Sequence, residues 1–142
     1  MTTSAGYRKP LPYPENREFT KPFWDAAKRH ELVLPRCKQC AMYHFYPRET
    51  CPNCFSLDIE WVPASGRGRV YAFTIVHQAA HPAFQEETPY VHAVIQLDEG
   101  VRMISNVVGC APTPEEVKVD MPVVVTFDDV TPEWTLPKFR PA

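Results

Sequence analysis

The chain has 142 residues, of which 44% are hydrophobic and 23% charged, and these values exclude a long multidomain enzyme, a disordered chain and a membrane protein. Its 16 prolines are roughly twice the average usage, so we expect short elements joined by many loops. The net charge of −2 favours neither a polyanion nor a membrane surface as partner, but residues 1–70 carry a net +4 and residues 71–142 a net −6. An anionic ligand should prefer the first half.

The first 19 residues predict an extended arm without a targeting signal. Met1–Gly6 contain no apolar signal core, and no run of about 18 apolar residues occurs anywhere, so a cytoplasmic location is expected. Further along, Pro10, Pro12 and Pro14 stand among charged and aromatic residues with neither helical nor strand periodicity. Such a segment can lie on a surface but cannot form a core.

A short helix is predicted after the arm. Thr20–Pro22 supply a capping hydroxyl and a proline in the first turn, and Phe23–Arg29 continue as two or three helical turns. Because so short a helix is unstable alone, Phe23, Trp24 and Ala27 must pack either against the chain's own core or against a partner.

Two Cys-x-x-Cys pairs predict a metal site. Cys37, Cys40, Cys51 and Cys54 place four thiolates on two turns, which is the donor set of a closed, structural Zn²⁺ site. The spacer Ala41–Thr50 is long enough for a β-ribbon that connects the two turns. Iron in a rubredoxin-like site is the redox alternative, since tetrahedral sulfur accepts either ion. Four protein thiolates leave no open position for water, which argues against catalytic zinc.

The residues from the turn at Ser65–Gly68 onward predict an all-β domain. Four segments rich in β-branched and aromatic residues are predicted as strands, namely Val70–His77, Tyr90–Leu97, Val101–Val108 and Pro122–Phe127. Asp98–Gly100 is predicted as a hairpin turn between the second and third. Trp134–Phe139 could add a fifth strand. The spacing of Thr113–Glu116 predicts one short helix between the third and fourth strands.

This order of elements predicts the fold class and the domains. Three meandering strands, a short helix and one or two further strands are typical of an OB-fold barrel, with a small β-sandwich as the alternative. We therefore expect a mainly β protein divided into an arm and short helix over residues 1–31, a rubredoxin-like zinc ribbon over 32–65 and an OB-fold over 66–142.

No self-sufficient active site is predicted. His77 and His81 lie in a strand end and a loop, without the glutamate of a zinc-protease helix, and His92 reads as a structural histidine. Cys110 lies outside the metal pattern near a strand end, where thiols are usually inert. Phosphate-binding glycine loops of the Walker or Rossmann type are also missing. We predict no catalytic residues.

Several residues instead suggest binding. The connection between the first two barrel strands contains Phe84 and is long enough to line a ligand groove. Basic side chains, namely Arg36, Lys38, Arg48 and Arg67, stand near the cysteines and the hinge. Either they are ordinary solvated charges, or they meet a phosphate-bearing ligand.

One family combines these features in the same order. The helix with Phe23-Trp24, the cysteine pairs, the Ser65-Gly66-Arg67-Gly68 hinge and the Leu97-Asp98-Glu99-Gly100 turn resemble the acyl-CoA-associated zinc-ribbon OB-fold proteins. Tyr46-Pro47-Arg48 and Pro89-Tyr90 belong to the same resemblance, which covers roughly residues 20–130.

The resemblance implies an accessory subunit of a thiolase-like enzyme that acts on CoA thioesters, with the catalytic cysteine and histidine in a partner chain. The implied zinc ligands are the four cysteines of the two pairs. The residues expected to contact CoA or the partner are Phe23, Trp24, Arg36, Lys38, Arg48, Arg67 and Phe84. A module that binds single-stranded nucleic acid is the alternative, disfavoured by the acidic second half, and a small iron redox protein is the third possibility.

Overall fold

The computed structural model describes residues 7–12 and 17–142, except for the side chain of Arg17. Residues 7–12 have no regular secondary structure, while Met1–Gly6 and residues 13–16 of the predicted arm lie outside the described residues. The elements in chain order are helix α1 (Arg17–Lys28), strands β1 (Val33–Cys37), β2 (Ile59–Pro63) and β3 (Arg67–Val76), a 3-10 helix (Pro82–Glu87), and strands β4 (Tyr90–Leu97), β5 (Arg102–Val107), β6 (Pro122–Asp129) and β7 (Thr135–Pro141).

The strands form a two-stranded ribbon and a closed barrel. β1 and β2 pair antiparallel, with Cys37 opposite Ile59 and Val33 opposite Pro63. The barrel has the strand order β3-β4-β5-β7-β6, in which β5 and β7 are parallel and the other neighbours antiparallel. The predicted mainly β fold, with one N-terminal helix, a ribbon carrying the cysteines and an OB-type barrel, is confirmed.

One hydrophobic core joins the ribbon, the helix and the barrel. Val91, Ala93 and Ile95 alternate toward the inside of β4, as the period of a half-buried strand requires. The same core includes Leu34 of the ribbon and Phe23 of the helix, so these parts pack together as one body.

The helix begins earlier than predicted. α1 starts at Arg17, so Thr20 lies inside it as a buried residue and Pro22 stands in its interior. Phe19, assigned to the arm by the sequence, is helical and packs on Trp61 with ring centroids 5.7 Å apart. This tertiary contact stabilises a turn that local propensity does not favour.

The two loops of the barrel also differ from the prediction. Thr113–Glu116 form a turn and no helix, closed by a bond from the N–H of Val117 to the carbonyl of Thr113 (2.9 Å). One such turn gains too few hydrogen bonds to propagate. A 3-10 helix instead occupies the connection between β3 and β4, where the Nδ1 atom of His81 accepts a bond from the N–H of Ala83 (3.0 Å).

The spacer between the cysteine pairs is long enough for a β-ribbon but forms none. Its strand-like pairing is a single bridge between Arg36 and Tyr43, and the ribbon is built by β1 and β2 outside the spacer. Phe45 of the spacer packs against Phe23 of the helix, and Tyr46 accepts a hydrogen bond from Ile104 of the barrel. No helix in the described part of the chain is long and apolar enough to cross a bilayer.

Candidate metal centre

The two cysteine pairs converge at one end of the ribbon. Cys37 ends β1, and the Sγ atoms of Cys37, Cys40, Cys51 and Cys54 all lie within 4.8 Å of one another. The sulfurs of Cys37 and Cys54 are 3.6 Å apart, as are those of Cys40 and Cys51. Metal–sulfur bonds of about 2.3 Å in a tetrahedron place the sulfurs roughly 3.8 Å apart, so the four thiols fit a single ion.

Both pairs lie on turns of the same shape. The N–H of Ala41 donates to the carbonyl of Cys37 (2.8 Å), and in the second turn the N–H of Phe55 donates to the carbonyl of Cys51 (2.9 Å). Ala41 and Phe55 both have a φ of 64°, in the left-handed region. A residue with a Cβ is strained in this region, and Phe55 is 77% exposed.

Backbone N–H groups favour the ionised thiols. The N–H of Cys40 lies 3.5 Å from the sulfur of Cys37 and lowers the pKa of Cys37. Mainly through the N–H of Met42, the pKa of Cys40 falls to about 6. The N–H of Ser56 acts in the same direction on Cys54, but burial and the neighbouring sulfurs outweigh it and raise the pKa of Cys54 to about 12. A full set of four thiolates therefore requires a cation among them.

These residues fit a structural metal ion. Four sulfur donors saturate a tetrahedral ion, so an ion bound by them would join the two turns and leave no coordination position for water or substrate. Zn²⁺ and iron both accept this donor set, and the geometry admits either ion.

An apolar cleft of about 410 Å³ lies where α1, the spacer, β5 and β7 meet. Two of the predicted contact residues lie there. Phe23 is 5% exposed and belongs mainly to the core, while Trp24 is half-buried and packs edge-on against Trp134 with centroids 5.3 Å apart. The cleft exists because β5 and β7 pair at only one position before they diverge. Its other large side chains are Phe45, Tyr46, Met103, Ile104 and Leu136.

Phe84 lies at a different cavity, of about 640 Å³, which shares Asn106, Leu136 and Lys138 with the apolar cleft. The cations of this cavity are already paired. The Nζ atom of Lys138 lies 2.7 Å from a carboxylate oxygen of Asp128, and the arm residue Lys9 forms ion pairs with the 3-10 helix. The cavity therefore has little uncompensated positive charge.

The predicted basic residues divide into paired and unpaired groups. Arg36 lies 3.8 Å from a carboxylate oxygen of Glu60, and Lys38 lies 3.8 Å from one of Asp58. Within residues 7–12 and 17–142, Arg48 and Arg67 have no carboxylate partner. None of the cavities described above brings all four together.

Exposed apolar residues on the outer surface of the barrel were not predicted from the sequence. Ile104 lies on β5 and is 48% exposed. Its backbone N–H donates a hydrogen bond to the hydroxyl oxygen of Tyr46, 3.3 Å away. The alternation of β5 could have predicted this. Met103 and Val107 point inward, so the apolar Ile104, next to Met103, must face outward.

Comparisons with known proteins identify the family. The model of the ChsH2 rubredoxin-like zinc ribbon domain matches residues 24–60, and the model of the ChsH2 C-terminal OB-fold domain matches residues 61–128. A chain from the solved structure described as the Ltp2-ChsH2(DUF35) aldolase superposes with a TM-score of 0.79 at 40% identity, covering 91% of this chain and 98% of that one.

Curated relatives agree. A probable enoyl-CoA hydratase alpha subunit of Thermomonospora curvata is 45% identical over 84% of this chain, which spans only 37% of that subunit's length. A DUF35 domain-containing scaffold protein of Methanocaldococcus jannaschii is 39% identical over 70% of each chain. The benzoylsuccinyl-CoA thiolase subunit BbsA of Geobacter metallireducens is 33% identical over 67% of this chain and 65% of its own. The chain therefore belongs to the ChsH2 (DUF35) family, which joins a rubredoxin-like zinc ribbon to an OB-fold.

Proposed function

We propose that the chain is a non-catalytic accessory subunit of a thiolase-like complex, whose partner polypeptide makes or breaks the carbon–carbon bond of a CoA thioester. The observation that carries this proposal is the convergence of four thiols on one closed ion site, which is suited to hold a scaffold together and not to react. The relatives named as an aldolase component, a thiolase subunit and a scaffold protein support the same assignment.

The remaining reactive groups also favour a scaffold. Burial, and secondarily the charge of Glu116, raises the pKa of Cys110, which makes it a poor nucleophile. His30 is half-exposed at the end of α1, where both carboxylate oxygens of Asp129 lie within 3.0 Å of its Nε2 atom. A His30–Asp129 contact on the open surface positions a helix end better than it activates a substrate.

Within this proposal, the ion is Zn²⁺ and the compartment is reducing, such as the cytoplasm, since free thiols are kept available there. If CoA contacts this subunit, its phosphates would be met by Arg48 and Arg67. Their charge is not compensated by a carboxylate among the described residues, whereas Arg36 and Lys38 have acidic neighbours. The ribbon over 32–65 and the barrel over 66–142 would then serve as the two parts of one docking platform.

The proposal is tested by purifying the tagged full-length chain from its native host, identifying the polypeptides that accompany it and measuring its metal. We expect one thiolase-like polypeptide in stoichiometric amount and one zinc per chain, with a colourless protein. A visible iron–thiolate spectrum would show that the bound ion is iron and not zinc, and it would favour a redox role. A nucleic-acid enzyme in place of the thiolase-like chain would contradict the proposed function.

A further inference from the structure

Three strands of the barrel carry positive charge without any carboxylate. β3, β4 and β5 contain Arg67, Arg69 and Arg102 and neither aspartate nor glutamate. Of these arginines, Arg102 belongs to the half of the chain, residues 71–142, whose net charge is −6. The acidic residues of that half lie in the turns, the loops, the 3-10 helix and the end of β6.

The strand register brings Arg69 and Arg102 together on one surface, which we call the outer sheet face and which also contains Gln96, Ala72, Val94 and Ile104. In one cross-strand row, Arg69 lies opposite Gln96, which lies opposite Arg102. In the next outward row, Ala72 lies opposite Val94 and Val94 opposite Ile104. The residues between these rows, among them Ile95 and Met103, are buried inside the barrel.

The two guanidinium groups of this face are held in place but not neutralised. Arg69 donates to the carbonyl of Asp120 (2.9 Å), and the Nε of Arg102 donates to the side chain of Gln96 (3.3 Å). Arg102 also lies over the ring of Tyr71, 3.8 Å from its centroid. No carboxylate forms an ion pair with either arginine among the residues that the structure describes. Each retains N–H donors for an outside acceptor.

Apolar side chains lie beside the arginines. Tyr71 and Ile104 are each 48% exposed, and Tyr46, bonded to the backbone of Ile104, is 52% exposed. Tyrosine and arginine around an apolar centre, with aspartate and glutamate depleted, are typical of the energetically dominant part of a protein–protein interface.

We propose that the outer sheet face docks onto an acidic, partly apolar surface of the catalytic partner, with Arg69 and Arg102 as carboxylate receptors and Tyr71 and Ile104 as apolar anchors. This inference rests on the proposed function. Single-stranded nucleic acid fits less well, because Arg102 covers one side of the Tyr71 ring where a base would stack and the barrel half repels a polyanion.

The test uses the full chain and the thiolase-like polypeptide that accompanies it from the native host. Arg102→Glu and Ile104→Glu are compared with Lys118→Glu, which replaces an exposed cation in a loop and changes the net charge by as much as Arg102→Glu does. We expect about 100-fold weaker binding for each face variant and less than about twofold change for the control. Thermal melting establishes that the variants fold, and Arg102→Lys should recover part of the affinity.

The outcomes separate the two proposals. If the complex forms and both folded face variants bind within about twofold of the native chain, the docking inference fails and the proposed function stands. If no thiolase-like polypeptide accompanies the chain, both fail. If the chain binds an unlabelled oligonucleotide with steep salt dependence and Arg102→Glu abolishes that binding, the face is a nucleic-acid surface and the inference is overturned.

Discussion

The hydroxyl of Tyr46 accepts a hydrogen bond from the backbone N–H of Ile104, 3.3 Å away, and so joins the spacer between the cysteine pairs to the barrel. Ile104 stands on β5 where that strand has diverged from β7, with which it pairs only between Val107 and Phe139. A side chain of the spacer thus satisfies a strand-edge donor. This hydrogen bond therefore ties the spacer, which runs between the two cysteine pairs, to the surface of the barrel.

Tyr46→Phe should lower the free energy of unfolding by about 1 kcal/mol, because the N–H of Ile104 loses its partner while remaining accessible to water. Urea denaturation of the metal-loaded protein measures the difference. Tyr43→Phe is the control, since the Tyr43 ring contacts Arg36 and its hydroxyl makes no hydrogen bond among the described residues. Equal effects of the two substitutions would show that the Tyr46 bond contributes nothing.

Cys37→Ser should release the metal and unfold the ribbon. Metal coordination contributes on the order of 10 kcal/mol, which is comparable to the whole stability of a domain, and Cys37 is a fully buried ligand. Metal analysis and hydrogen exchange of β1 and β2 measure the loss, and chelation of the native protein should reproduce it. Cys110→Ser, which alters the cysteine outside the cluster, should keep one ion and a protected ribbon. A cooperative melt of metal-free Cys37→Ser with protected β1 amides would contradict the structural role.

Asp129→Asn should destabilise the protein at neutral pH by an amount that disappears in acid. The hydroxyl of Thr135 and then the ring of His30 hold the pKa of Asp129 below its ordinary value. Since the folded pKa is the lower one, the carboxylate stabilises the fold above its unfolded pKa of about 3.9, and this contribution is lost as the pH falls through the folded pKa.

The measurement is the difference in unfolding free energy between the native chain and Asp129→Asn at several pH values. Taking the difference removes the effect of acid on the metal site, which both proteins share. A difference that grows as the pH falls below 4 would refute this assignment.

Gly68→Ala should cost several kcal/mol, because a Cβ at this position would meet the backbone carbonyl oxygen of Gln96. Only a shift of two paired strands would relieve the clash. Gly100→Ala is the comparison, as its Cβ would have open space and its cost of about 1 kcal/mol would come from its φ of +98° alone. Thermal unfolding of both variants compares the two costs, and equal melting temperatures would be inconsistent with close strand approach at Gly68.

Much of this fold follows from local pattern. The spacing of the four cysteines predicted their cluster, because it is a property of residues close in sequence. Strand β4 occurs over Tyr90–Leu97, as its β-branched and aromatic residues predict. The predicted start of α1 was wrong, because the turn that contains Phe19 is stabilised by Trp61, a residue distant in sequence. The predicted helix at Thr113–Glu116 was wrong because capping residues alone cannot extend a single turn.

The binding surfaces were harder to predict because they depend on register and on long-range ion pairs. The sequence places Arg36 and Lys38 near the cysteines. It does not show that Glu60 of the paired strand β2, and Asp58 directly before that strand, lie close to them. Likewise, the alignment of Arg69 with Gln96 and Arg102 requires the pairing of three strands. Strand pattern predicts which residues face outward, whereas pairing decides which of them become neighbours.

The most direct test of the central claim is the rate at which a CoA thioester is cleaved or condensed by three preparations: this chain alone, the thiolase-like partner alone, and the reconstituted zinc-loaded complex. We predict no turnover by this chain, and full activity only in the complex. Turnover by this chain alone at a rate comparable to the complex would contradict the account.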